Sequence, residues 1–229
     1  MEKNEYWKFL LHVTQELRTP LHSLYCFSEV MQNKDWREQM ADDEREEFYR
    51  CMDNSLSDMN QMINTLVDLS YYSSIDRLER KDRVLINRLC EDVAKEQDVE
   101  VAFESDCPDY YAFLTNRECL LKVLRILLKG ACRRVKDRKD QSREATVGLQ
   151  LSERGAKGSL TFIVTDSGDR CSEEENITTF NPPTNQHGPT FAMRTEYYNC
   201  WRMVQLLGGF IYIDPKFPDG RRVIFSIDL

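Results

Sequence analysis

A seven-residue repeat of apolar side chains near the N-terminus constrains the fold more than any other feature of the sequence. Residues 7–31 and 43–73 carry the repeat, and no glycine interrupts either segment. The repeated positions are Leu10, Leu17, Leu24 and Met31 in the first segment and Met52, Met59 and Leu66 in the second. This spacing places an apolar stripe on each of two α-helices. The short polar connector 33–43 predicts an antiparallel hairpin, and burial of so wide a stripe requires a second chain and a four-helix bundle.

After residue 76 the pattern changes from long helices to alternating short strands and helices. Strands are predicted at 84–85, 99–103, 111–114, 145–151, 159–165, 210–213 and 221–227, helices at 87–96, 116–135 and 194–207, and a long loop at 167–191. Gly208-Gly209 fits the end of the last helix, and Pro218-Asp219-Gly220 fits a turn. We therefore predict two domains, residues 1–76 and 77–229, in an α+β chain.

Composition excludes several classes of protein. The net charge of −8 argues against a nucleic-acid-binding protein, and we interpret the basic cluster from Arg133 to Lys139 as the solvated end of a helix. No apolar run approaches the roughly 20 residues that span a bilayer. Eight cysteines without paired spacing and only three histidines predict free thiols and no metal site. Buried thiols are expected in the apolar segments, at Cys26, Cys119, Cys132 and Cys200.

Residues 9–21, Phe-Leu-Leu-His-Val-Thr-Gln-Glu-Leu-Arg-Thr-Pro-Leu, form a specific motif within the first predicted helix. The motif resembles the H-box of bacterial two-component sensor histidine kinases, including Pro20, which an ordinary helix would avoid. Gln15 stands where that family has its phosphoacceptor histidine. An amide nitrogen, unlike imidazole, offers no free lone pair for attack on a phosphate. The alternative interpretation of residues 1–75 is an ordinary helical hairpin with no signalling role.

The resemblance extends over nearly the whole chain through the order of its elements. It implies a dimerisation and histidine phosphotransfer hairpin followed by a catalytic ATP-binding domain, an α/β sandwich in which helices cover one face of a mixed sheet. It also implies a homodimer formed by helices 7–31 and 43–73. The implied partner is a response-regulator receiver domain or a true histidine kinase. The implied location is the cytoplasm, with membrane attachment only through a segment upstream.

Two nucleotide-binding motifs of the family are only partly present. Residues 120–131 resemble the N-box helix, but Gly130 stands where the family has an asparagine that binds Mg²⁺, and glycine has no side-chain oxygen. Residues 166–170 resemble the first glycine box, in which the aspartate accepts a hydrogen bond from adenine. Asp166 and Gly168 are retained there, whereas Arg170 replaces the second glycine.

The phosphate-binding loop is lost more completely. Counted back from Gly208, its three glycines fall at Ala192, Arg194 and Glu196. Without glycine the backbone amides cannot wrap a triphosphate, and Glu196 adds a negative charge, although Arg194 can attract phosphate. Phe180 and Pro182-Pro183 resemble a remnant of the family's lid motif. We expect the bulky residues nearby either to narrow the nucleotide cleft or simply to pack in the core: Phe191, Tyr197 and Tyr198.

We therefore interpret the chain as a histidine-kinase-like module of a two-component phosphorelay, without autokinase activity. No cofactor is expected, and ATP with Mg²⁺ would bind only if the pocket retains function. The alternative is a residual receiver phosphatase that uses Glu16 and Thr19, which keep the family's arrangement. A weakly active kinase would need another acceptor, His12 or His22, but we favour ordinary surface histidines. A phosphotransferase of the same two-domain build is a third, more remote alternative, which also needs the missing histidine.

Overall fold

The computed structural model describes residues 3–139, 144–154, 158–182 and 191–228. The chain divides into two compact units, one formed by residues 1–70 with 182–195 and the other by residues 71–181 with 196–229. The first unit is mainly helical, and the second combines helices with a β-sheet. A single domain boundary between residues 76 and 77 stays a prediction.

The N-terminal hairpin consists of α1 (Lys3–Gln32), α2 (Lys34–Gln39) and α3 (Asp42–Ser74). The two long helices predicted from the heptad repeat are confirmed, with Pro20 inside α1. The prediction of a plain connector was incomplete, because residues 34–39 form α2. The Asn33 side-chain oxygen accepts hydrogen bonds from the backbone N–H groups of Asp35 and Trp36 at 3.1 and 3.2 Å. This asparagine therefore caps α2 and stabilises it.

The apolar stripe of the hairpin is only partly covered within one chain. Phe27 and Phe48 pack edge to face across the hairpin, with ring centres 5.2 Å apart. The repeated residues whose side chains are described are half-buried: Leu17, Leu24, Met31, Met52, Met59 and Leu66. Leu56 and Ile63 on α3 remain 46% and 45% exposed. The hairpin thus keeps a broad apolar surface.

The C-terminal part follows the predicted alternation. Its elements are β1 (Asp82–Leu85), α4 (Ile86–Lys95), β2 (Val101–Ser105), β3 (Ala112–Thr115), α5 (Arg117–Lys136), β4 (Val147–Arg154), β5 (Ser159–Asp166), α6 (Glu173–Thr178), α7 (Phe191–Leu206), β6 (Phe210–Ile213) and β7 (Arg221–Asp228). Five strands form one sheet in the order β2-β4-β5-β7-β6, and β1 pairs with β3. The β2–β4 pair is parallel and the other pairs are antiparallel. The expected mixed sheet is confirmed.

Helix α5 forms much of the core of the second unit and positions its candidate site. It packs against β4 and β5, and its buried side chains recur at helical spacing: Leu120, Val123, Leu124, Leu127, Leu128 and Ala131. The Asn116 side chain caps the helix by accepting from the Cys119 amide at 2.9 Å. On the sheet, the paired residues Phe162 and Phe225 stack with ring centres 4.4 Å apart. The last turns of α5 therefore lie beside the end of β5.

The prediction of an irregular loop over residues 167–191 was wrong for residues 173–178, which form α6. Ser172 and Glu175 form a capping box at its N-terminus, a local signal that the polar composition obscured. Pro183, part of the predicted lid remnant, lies outside the described residues. Helix α7 starts at Phe191, three residues before its predicted start at 194, and ends in a Schellman arrangement in which Gly208 has a φ of +78°.

The cysteines are mostly as expected. All eight cysteines are free, and Cys90, Cys107, Cys119, Cys132 and Cys200 are buried. Cys26 is exposed, so the prediction that it is buried was wrong. It lies on the outer face of α1 rather than on the apolar stripe. Among the described residues, no cluster of acidic, histidine and cysteine side chains can hold a metal ion. In the same parts of the chain, no helix is long and apolar enough to cross a membrane.

Candidate functional site

The helix face around Gln15 presents polar side chains on α1. Gln15 and Thr19 are exposed, and Glu16 is half-buried. Gln15 and Thr19 are four residues apart, so they lie on the same helix face one turn from each other. The Thr19 backbone carbonyl accepts a hydrogen bond from the Ser23 hydroxyl at 3.2 Å. Any chemistry here must therefore act on a ligand outside the helix.

The two candidate replacement acceptors have different environments. His12 is half-buried, and its ring centre lies 6.5 Å from that of Phe191. His22 is exposed, and its Nε2 lies 3.6 Å from the Cys26 sulfur. Neither ring pairs with a carboxylate in the contacts described, which is the arrangement that would activate a histidine nucleophile.

Two of the three predicted phosphate-loop positions, Ala192 and Arg194, belong to the same compact unit as the hairpin, whereas Glu196 belongs to the other unit. Phe191 is buried, with its ring centre 5.5 Å from that of Phe9 on α1. Burial lowers the pKa of the Arg194 guanidinium, and the charge of Glu16 opposes that shift. Two residues singled out separately from the sequence, Glu16 and Arg194, are thus electrostatically coupled. No sequence pattern predicted this coupling, because the two positions are 178 residues apart in the chain.

Asp166, the retained residue of the adenine motif, is engaged by an arginine. Its carboxylate lies at the end of β5, where both oxygens accept from Arg134 Nε, at 3.3 and 3.2 Å. The carboxylate also accepts from the Gly168 amide at 2.9 Å. Burial raises the pKa of Asp166 above its ordinary value, and the charge of Arg134 offsets part of that rise. Two donors within the protein therefore already use part of the acceptor capacity of Asp166.

The interpretation of the basic cluster as a solvated helix end holds for the exposed Lys136 and Lys139 but is wrong for Arg134. Its side chain is only 17% exposed, and besides Asp166 it donates to the Asp169 carbonyl at 2.5 Å and to the Cys171 sulfur at 2.9 Å. Arg138 in the same cluster is buried as well. Composition alone predicted exposure because it does not reveal which side of the last turn of α5 meets the end of β5.

Gly168 is kept for close packing here. A Cβ at this position would lie 3.0 Å from both the Cβ and the carbonyl oxygen of Arg134. Real Cβ atoms rarely approach other atoms so closely, so a larger residue would push α5 away from the β5 end. Arg170, which replaces the second glycine of the motif, is exposed.

Gly130, at the position of the family's magnesium-binding asparagine, faces Tyr197. A Cβ at Gly130 would overlap the Tyr197 hydroxyl and lie 3.3 Å from its Cζ. Tyr197 is buried, and Phe180 packs edge to face on it with ring centres 6.0 Å apart. Burial raises the pKa of the Tyr197 hydroxyl. The sequence left two interpretations of Tyr197 open, narrowing of the predicted cleft or ordinary core packing. Its contact with Gly130 supports the first, because the tyrosine fills the space above α5. Tyr198 instead stacks on Trp201.

These residues do not fit ATP with Mg²⁺ in the way that the family resemblance implies. Gly130 supplies no oxygen ligand, and an asparagine there would collide with Tyr197. Asp166 is paired with Arg134. A cavity of about 320 Å³ lies beside Asp166, but its lining includes two further carboxylates, Glu144 and Asp219, which oppose a polyphosphate.

Comparison with known proteins agrees with the fold and the motif. Residues 8–74 match the family model of the His Kinase A (phospho-acceptor) domain. The helical hairpin is therefore similar to a His Kinase A domain over nearly its whole length. No curated protein matches the sequence. In fold, the hairpin and the mixed α/β sheet that follows it match solved structures of histidine kinases.

Three sensor histidine kinases with this two-domain fold illustrate the similarity. ThkA in complex with the response regulator TrrA has 18% identity and a TM-score of 0.69 over 96% of this chain and 60% of its own. AdeS from Acinetobacter baumannii has 15% identity and a TM-score of 0.66 over 93% of this chain and 96% of its own. Full-length ShkA in complex with AMPPNP has 17% identity and a TM-score of 0.64 over 95% of this chain. The chain spans 45% of the ShkA chain.

Proposed function

We propose that the chain is a two-component signalling module that has lost autokinase activity. It dimerises through its helical hairpin, docks a receiver domain or a true histidine kinase, and sets the state of that partner by shape. The arrangement around Asp166 carries this proposal, because Arg134 already occupies the carboxylate that would receive adenine. Residues 1–76 and 77–229 are its proposed functional domains, and the cytoplasm is its proposed location.

Loss of the acceptor and loss of the pocket support the proposal independently. Gln15 removes the nucleophile on α1, and the Gly130–Tyr197 contact removes space for a metal ligand on α5. Phosphoryl transfer depends on positioning and on charge neutralisation around the transferred group. Two separate regions have therefore lost what the reaction needs, which favours a change of function over one isolated substitution.

The hairpin supplies the proposed contact surfaces. Several large apolar side chains on α1 and α3 are exposed in the single chain: Leu11, Leu21, Tyr25, Tyr49, Leu56, Ile63 and Val67. Exposed apolar area on this scale favours burial against another chain. The structure of ThkA holds a response regulator, and we carry that partner class to this chain because the polar face of Gln15 and Thr19 is accessible.

The decisive experiment restores the acceptor. Gln15→His and a matched Gln15→Asn variant are incubated with γ-labelled ATP and Mg²⁺, and phosphate on the protein is measured. We expect no labelling of either variant, because the nucleotide pocket is also lost. Label on Gln15→His alone would contradict the proposal, since it would mean that only the acceptor was missing.

Nucleotide binding gives a second measurement. A ligand present at 100 times its Kd stabilises a protein by about 2.7 kcal/mol. We therefore expect no rise in melting temperature with millimolar ATP and Mg²⁺, and AMP serves as a control for binding of the base alone. A rise with ATP that requires Mg²⁺ would contradict the loss of the pocket.

A receiver phosphatase is the second candidate function, and the accessibility of Thr19 favours it. Glu16 and Thr19 keep the family's spacing, and that hydrolysis does not depend on nucleotide chemistry in this chain. The test mixes the protein with a phosphorylated receiver domain and follows loss of phosphate. Thr19→Ala should abolish any acceleration, whereas Thr14→Ala on a neighbouring face of α1 should not. Equal rates with and without the protein would exclude this candidate.

A further inference from the structure

Cys171 has an environment that none of the proposed functions uses. Its Sγ accepts hydrogen bonds from Arg134 Nη1 at 2.9 Å and from Arg221 Nη2 at 2.8 Å. The residue as a whole is half-buried. The two other accessible cysteines contact different groups, since Cys26 lies beside His22 and Cys51 beside Glu47.

Arg221 is a buried guanidinium beside this sulfur that has an unsatisfied N–H group. Arg221 is 7% exposed, and within the described parts of the chain its Nε has no hydrogen-bond partner. Its Nη2 is directed at Cys171, and sulfur is a weak acceptor. A buried guanidinium is stabilised best by oxygen atoms, especially charged ones. Oxygen bound to the Cys171 sulfur would supply such an acceptor between the two arginines.

Nearby carboxylates balance part of the positive charge without blocking the sulfur. Asp166 accepts from Arg134 Nε, whereas Nη1 of the same guanidinium is directed at Cys171. Glu175 interacts electrostatically with Arg134 and Arg221, but its carboxylate accepts from Ser172 in the capping box. The sulfur and the carboxylates therefore use different N–H groups.

We propose that Cys171 is a modification site, a thiol that hydrogen peroxide oxidises to a sulfenic acid held by Arg134 and Arg221. The sulfur attacks one peroxide oxygen, an S–O bond forms and the O–O bond breaks. Sulfur loses two electrons, peroxide is reduced to water, and the thiol proton passes to the departing hydroxide. The two guanidinium groups favour this step because they lie at the sulfur and stabilise the negative charge that develops on the departing oxygen.

The test compares cysteines within one protein. The full chain is treated briefly with hydrogen peroxide in the presence of dimedone, which traps sulfenic acids, and adducts are measured by peptide mass spectrometry. We expect about tenfold more adduct on Cys171 than on Cys26 or Cys51, as for cysteines beside cationic groups. Labelling of Cys171 at or below the level of the exposed Cys26 would overturn the proposal.

A variant tests the role of the arginines. Arg221→Met should lower labelling of Cys171 about threefold or more, with Cys26 unchanged. Arg222→Met is the matched control, because Arg222 contacts Asp214 and Phe217 instead. Adducts on the buried Cys90 and Cys200 would reveal unfolding, in which case Arg221→Gln, which removes the charge but keeps a polar side chain, replaces the methionine variant. Unchanged labelling of Cys171 in a folded variant would contradict the proposal.

Discussion

At the scale of single residues, the contact between Gly130 and Tyr197 is the contact that most limits what can fit at the predicted nucleotide site. Restoring the family's asparagine with Gly130→Asn should destabilise the protein by about 1–3 kcal/mol, because the new side chain overlaps the Tyr197 ring. In a Tyr197→Gly background, Gly130→Asn should cost less, because the side chain that it overlaps is gone. Urea unfolding of both variants and of Tyr197→Gly alone completes the cycle. Additive effects of the two substitutions would mean that the side chains do not compete for space.

The buried Tyr197 hydroxyl also makes stability depend on alkaline pH. Burial raises its pKa in the folded state, so the neutral form is favoured there. Its contribution to stability is complete below the unfolded pKa of about 10 and is lost as the pH rises through the folded value. Tyr197→Phe should therefore lose less stability than the wild type between pH 8 and pH 10.5. Urea unfolding at both pH values measures this, with Tyr110→Phe at a site 82% exposed as the control.

At the scale of elements, an arginine of α7 holds the end of α3. Arg202 donates to the Tyr72 carbonyl at 3.0 Å and to the Ile75 carbonyl at 2.7 Å. A cation at a helix C-terminus satisfies carbonyls that have no partner within the helix. Arg202→Met should lower the free energy of unfolding by about 2 kcal/mol and speed amide exchange in the last turn of α3. Arg202→Lys keeps the charge but lacks the two-pronged guanidinium group, so its stability and exchange rate should lie between those of the wild type and Arg202→Met. Equal amide exchange in the wild type and both variants would contradict this role.

The elements also separate what local patterns predict from what they miss. The heptad repeat predicted α1 and α3, and alternation predicted strands β4 to β7, because both patterns reflect burial on one face. Helix α6 was missed because six residues bury no apolar side chain and depend on the capping box of Ser172 and Glu175. A short helix of this kind is stabilised by the capping residues at its ends, and the spacing of apolar residues along the sequence does not reveal them.

At the scale of the whole molecule, the apolar surface of the hairpin predicts self-association. We expect the chain to run as a dimer in size-exclusion chromatography with light scattering. Ile63→Glu/Val67→Glu places charges at positions that are 45% and 60% exposed in one chain, and this should yield monomers. Asn60→Glu/Asn64→Glu, also on exposed positions of α3, should leave the dimer intact. A wild-type monomer, or a dimer in both variants, would contradict the proposed interface.

The sequence by itself determined the helical hairpin, the α+β order, the missing histidine at Gln15 and the missing glycines, because these depend on residue type and spacing along the chain. Only the tertiary structure decided what replaced the lost groups. Arg134, Tyr197 and Arg221 come from α5, α7 and β7, and they meet Asp166 and Cys171 only after the sheet and helices have packed. Contacts between distant segments depend on three-dimensional packing, which neither periodicity nor a local motif encodes.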